Sequence, residues 1–88
     1  MFTNKSENGR NNLCGKAIET RRKAMGKSQR QLADMLQIAG LDIDKNAIQR
    51  IEAGKRFVTD IELTYLSKVL NLPYEALLDY PLGQSDAF

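Results

Sequence analysis

The feature that most constrains this chain is the regular alternation of helix starts and helix stops along it. Ser28-x-x-Gln31 and Thr59-x-x-Glu62 are capping boxes, in which each side chain meets the backbone N–H at the other end of the first turn. Gly26, Gly40, Gly54 and Asn71 stand where the apolar periodicity breaks, and Gly and Asn tolerate the left-handed backbone that closes a helix. Between these marks apolar residues recur at three-to-four spacing. Leu13, Cys14, Ala17, Ile18, Ala24 and Met25 form a first face, and Leu32, Ala33, Leu36 and Ala39 a second. A third is made by Ala47, Ile48 and Ile51, behind Asp44 as N-cap with Asp42 as competitor. Leu63, Leu66, Val69 and Leu70 continue the pattern, with Val58 and Leu63 at the positions of a hydrophobic staple. Pro73 pre-sets a short fifth helix containing Leu77 and Leu78. No strand-like alternation interrupts the series. The spacing therefore predicts an all-α fold of five short helices around one core.

Eighty-eight residues make one small domain with a modest core. The Asn-rich polar start, residues 1–11, reads as a flexible arm, residues 12–79 as the domain, and residues 80–88 as a C-terminal tail. The single cysteine, Cys14, can form no intramolecular disulfide; it reads as a small apolar packing group, and a reducing, cytoplasmic setting fits. The start lacks the apolar core of a secretion signal, and no apolar run approaches the roughly 20 residues that span a bilayer. Histidine is absent and one cysteine builds no zinc site, so no metal and no cofactor are expected. No phosphate-cradling glycine loop and no nucleophile–base set are visible, so the chain reads as a non-enzyme.

Charge points toward a polyanion partner. Residues 1–56 carry twelve Lys/Arg against six Asp/Glu, whereas residues 57–88 carry one Lys against five acids. The third helix, residues 44–53, sharpens this. Behind its apolar face lie Lys45, Asn46, Gln49 and Arg50, all hydrogen-bond donors and none of them an acid. Arg and Lys suit guanine O6 and N7, and Asn and Gln suit adenine N6 and N7, in the major groove. A short helix with such groups near its start fits that groove.

Three stretches, "RRKAMGKSQRQLADML", "AIQRIEAGKR" and "TDIELTYLSKVLNLPYEALL", follow one another in an order that resembles the Cro/cI-type helix-turn-helix family, also called the XRE family, of bacterial and phage regulators. The resemblance covers most of the chain and implies a lambda-repressor-like domain. By it, Lys45, Asn46 and Arg50 match base-reading positions, with Gln49 beside them. Gln29 would contact phosphate at the start of the second helix, where backbone N–H groups favour anions, joined by Lys55 and Arg56. Arg30 is a further phosphate candidate, and Lys27, which departs from the family pattern of an apolar residue there, reads as one more phosphate contact. Arg22 and Glu52 match a structural ion pair linking the first helix to the third. The chain departs from the usual pattern in "QIAGLDID", which lengthens the connection before the third helix. One extra turn of the second helix, to about Ala39, followed by a longer turn through Gly40 to Ile43, accounts for it, with Leu41 and Ile43 folding inward.

The function these features imply is a sequence-specific, repressor-like DNA-binding regulator of bacterial or phage origin, acting on a double-stranded operator as a homodimer. Leu78, Tyr80, Leu82 and Phe88 are the candidate dimer contacts. The alternative is a protein-interaction adaptor, antitoxin or anti-repressor built on the same fold. The exposed face of the third helix separates an adaptor from a DNA reader, since an adaptor calls for acids or apolar residues there. An antitoxin would bind DNA as well as a toxin, and that face does not set it apart from a stand-alone repressor.

Overall fold

The computed structural model describes residues 9–78. Among them are five helices and no strand: α1 (Gly15–Ala24), α2 (Gln29–Ala39), α3 (Lys45–Glu52), α4 (Asp60–Leu70) and α5 (Tyr74–Leu78). The core is one cluster in which Cys14, Ile18, Leu32, Leu36, Ile48, Ile51, Leu66, Leu70 and Leu77 are fully buried. The helix α3 packs its inner face on α2 and α1, α4 packs on the same two helices, and α5 packs on α1 and α4. Burial of Cys14 pushes its thiol up to about 11, so it stays protonated and packs as an apolar group.

Local chemistry sets the ends. Both capping boxes form, with Ser28 Oγ accepting from the Gln31 N–H at 3.0 Å and Thr59 Oγ1 from the Glu62 N–H at 3.1 Å. Asp44, rather than Asp42, caps α3 by accepting from the Ala47 N–H at 2.8 Å. The first four helices end alike: the N–H of Lys27, Leu41, Lys55 or Leu72 returns to a carbonyl five residues back, at 2.9–3.1 Å. This geometry puts the preceding residue in the left-handed region, as at Gly40 (φ 115°) and Asn71 (φ 54°).

The long connection is built as the sequence suggests. The helix α2 reaches Ala39, Ile43 is buried, and Leu41 packs against the core. Gln37 Nε2 donates to the Ile43 carbonyl at 2.7 Å and pins the turn from within α2.

The start of α1 differs from expectation. The helix begins at Gly15, and Leu13 is exposed. Cys14 at the N-cap makes no side-chain bond, and Asn12, two residues earlier, satisfies the first helical N–H, its Oδ1 accepting from Gly15 at 2.9 Å. Ala24 and Ala39, expected on buried faces, are the last residues of their helices and stand exposed. Arg10 and Asn11, placed by sequence in the polar arm, are held against the end of α3 by hydrogen bonds to backbone carbonyls.

Candidate nucleic-acid interface

Lys45, Asn46, Gln49 and Arg50 all project from the exposed side of α3, opposite buried Ile48 and Ile51. Asn46, Gln49 and Arg50 line a shallow depression of about 380 Å³ with Ala53 and Lys55. Lys45 faces the α2 side, where it shares a second depression with Arg30, Asp34, Gln37 and Asp44. Asp44 is committed to its helix, so its carboxylate is held by a backbone N–H beside the basic face. Arg30 and Lys55 are exposed, and Lys27 is half-buried with its carbonyl tied to Arg22.

Behind this face, α3 is held by one buried polar hub. Arg22 donates from Nε to Glu52 Oε2 at 2.7 Å and from Nη2 to Glu52 Oε1 at 2.9 Å. Its Nη1 donates to the Lys27 carbonyl at 2.8 Å. Gln29 Nε2 adds a third donor to Glu52 Oε1 at 2.9 Å. One carboxylate at the end of α3 thus ties α3 to α1 and to the first residue of α2, and Arg22 extends the hub to the turn after α1. Side-on pairing of this kind is geometrically specific, and its hydrogen bonds hold the Arg22 pKa above its already high usual value. Such a buried pair orients elements more than it adds net stability, because desolvation offsets the Coulomb attraction.

Two residues expected at phosphates have partners inside the protein. The Gln29 amide is turned to Glu52, leaving its second N–H and the backbone N–H of the α2 start for an anion. Arg56 is bidentate to Glu62, with Nη1–Oε1 and Nη2–Oε2 both at 2.9 Å, and it also donates to the Phe57 carbonyl. The reason is local: Glu62 already reaches back to the Thr59 N–H as part of its capping box, which fixes its carboxylate beside the Arg56 guanidinium.

Those bonds carry a pH signature. Hydrogen bonding to Arg56, aided by the Thr59 N–H, holds the Glu62 carboxyl below its ordinary 4.5. A carboxylate depressed by folding stabilises the native state fully above its unfolded value and loses that contribution as pH falls through the folded one. Stability is therefore expected to decline as pH drops below about 4.5. In Glu62→Gln, urea titrations across that range should show a shallower decline; an unchanged slope would contradict the assignment.

The sequence reading missed the side chains that brace α3 from outside the three quoted stretches: Arg10, Asn11 and Asn12. Nor did it find Arg21, whose Nε donates to the Leu70 carbonyl at the end of α4 at 2.8 Å. An Arg on the last turn of a helix reads as ordinary surface charge, and only the fold reveals its carbonyl partner.

Among the described residues, no group of three or more His, Cys, Asp or Glu is placed to hold a metal, and no helix is long and apolar enough to cross a membrane. Comparison with known proteins agrees with the geometry. The HTH_3 helix-turn-helix family model matches residues 18–77. The chain is similar to the crystal structure of the restriction-modification controller protein C.AhdI from Aeromonas hydrophila, at 25% identity and a TM-score of 0.62, over 72% of this chain and 84% of that one. No curated protein matches the chain. The order of the five helices, the donor-rich outer face of α3 and the matched span together show that the chain belongs to the XRE-type helix-turn-helix family of DNA-binding transcription regulators.

Proposed function

We propose that this chain reads a specific double-stranded operator by laying α3 in the major groove. Lys45, Asn46, Gln49 and Arg50 face the base edges, and Arg30, Lys55, Lys27 and the start of α2 face the phosphates. The observation that carries this reading is the outer face of α3, where four long or amide donors stand exposed with no acid among them. Phosphate contacts supply salt-dependent affinity and the base contacts supply discrimination. The adaptor and anti-repressor alternative is not favoured, because that face offers neither acids nor apolar anchors.

Regulation is repressor-like in this reading, in a bacterial or phage setting and in the cytoplasm, where the DNA lies. Two copies act together on a symmetric site. Tyr74 and Leu78 stand four residues apart on α5, and both are exposed, which gives α5 an apolar face for a second copy. The other sequence candidates for that contact, Tyr80, Leu82 and Phe88, lie outside the described residues.

Paired substitutions test the roles within the face. Arg50→Ala is expected to cost roughly 1–3 kcal/mol on the preferred site and to relax preference at one base pair, while Lys55→Ala weakens all duplexes alike and shallows the salt dependence. Binding isotherms on preferred and scrambled duplexes read both. Uniform loss in Arg50→Ala would remove it from the base-reading set.

A further inference from the structure

We infer that Asn12 is a positioning residue for DNA discrimination, acting through α3 rather than touching DNA. The inference rests on the DNA-reading function proposed above. With eight residues, α3 is too short to hold itself, and its last carbonyls have no partners within the helix. The N–H groups of Ala53, Lys55 and Gly54 return to the Gln49, Arg50 and Ile51 carbonyls. Residues 10–12 supply donors to the Glu52 carbonyl, a second donor to Ile51 and donors to the carbonyls of the loop that follows. Arg10 Nη2 donates to the Glu52 carbonyl at 2.8 Å, the Asn11 N–H to Gly54 at 2.8 Å, and Asn11 Nδ2 to Lys55 at 3.0 Å.

Asn12 is the hub of this clamp. Its Nδ2 donates to the carbonyls of Ile51, at 3.0 Å, and Arg56, at 2.8 Å, while its Oδ1 accepts from the Gly15 N–H at 2.9 Å. Both amide hydrogens and the amide oxygen are therefore used, each on a different segment: the end of α3, the loop after it and the start of α1. That loop carries Lys55, and the end of α3 carries Arg50 one residue before Ile51. The guanidinium of Arg10 adds a positive charge at the helix C-terminus, where the dipole favours it.

Two unequal losses follow if the clamp is cut. Base-edge contacts need side chains held to within about 0.5 Å, whereas phosphate contacts on flexible cations tolerate more displacement. Loosening the end of α3 should therefore weaken the preferred duplex far more than a scrambled one. A residue that only stabilises the fold would lower the melting temperature and leave that ratio unchanged in folded protein.

The test compares the full chain, Asn12→Ala and Asn11→Ala by fluorescence anisotropy at near-physiological salt. The two probes are a duplex selected by the wild type and a scrambled duplex of equal length. Circular dichroism at the assay temperature checks that each protein is folded. Asn12→Ala is expected to lose about tenfold on the selected duplex, equivalent to about 1.4 kcal/mol, and clearly less on the scrambled one. Asn11→Ala, which removes the side-chain bond to the Lys55 carbonyl, should shift in the same direction by a smaller factor. If Asn12→Ala does not fold, Asn11→Ala decides: selective loss supports the inference and no loss overturns it. Equal losses on both duplexes, or none, overturn it while leaving the DNA reading intact. A wild type that retains no duplex in the selection removes the DNA reading and this inference with it.

Discussion

Glu52→Ala is expected to melt far below the wild type even with no DNA present. The substitution deletes the acceptor of three hydrogen bonds and leaves the Arg22 guanidinium charged in a site where its side chain is only 9% exposed. Breaking a buried pair from one side costs about 3–5 kcal/mol, against a total stability on the order of 5–15 kcal/mol for a domain. For a chain of this size that corresponds to a fall in Tm of at least ~12 °C. Arg22→Met/Glu52→Leu removes both charges together and should recover most of the lost stability, because no unpaired ion remains. It should not recover DNA affinity, since the side-on geometry that orients α3 is gone. Calorimetry on the two variants decides the first point: an unchanged Tm in Glu52→Ala would mean that the hub does not hold α3.

The second large effect is expected from the smallest change. In Gly15→Ala, the new Cβ would fall inside the contact distance of the Ile51 carbonyl oxygen and of the Arg10 guanidinium, and 2.9 Å from Asn12 Oδ1. The first obstacle is backbone and cannot swing aside. Relief requires α1 and the end of α3 to separate, which pulls on the hydrogen bonds that Asn12 makes to both. Overpacking of this kind costs on the order of 1–3 kcal/mol, and rigid backbone places this site at the upper end. Alanine's better helix propensity, up to ~1 kcal/mol over glycine, opposes the loss without cancelling it. A clear drop in the urea midpoint is the expected result; a midpoint equal to or above wild type would show that the two helix ends do not approach as described.

What the sequence could reveal followed from the range of the physics involved. Capping boxes, glycine stops and apolar spacing act within a few residues, so the helix order was readable from residue types alone, while the choice of Asp44 over Asp42 as cap needed the fold. The long turn was legible because Leu41 and Ile43 had to go inward if α2 gained a turn. The Arg22–Glu52 pair was visible only through family resemblance, since no local rule joins residues 30 apart. Contacts made by side chains on backbone carbonyls left no signature. Asn12 looks like any polar residue before a helix, yet it meets Ile51 and Arg56 about 40 positions away. The partner of Arg56 was hidden for a related reason. A cation just after a recognition helix suggests phosphate, and Glu62 was already explained as half of a capping box, although its carboxylate serves both.

The central claim is that the exposed face of α3 reads sequence. Selection of the full chain against a pool of randomised duplexes at near-physiological salt, with sequencing of the retained fraction, tests it most directly. Enrichment of a two-fold symmetric site is the predicted result, with half-sites about one helical turn, or ~34 Å, apart. Retention without enrichment, or no retention at any salt, would contradict it.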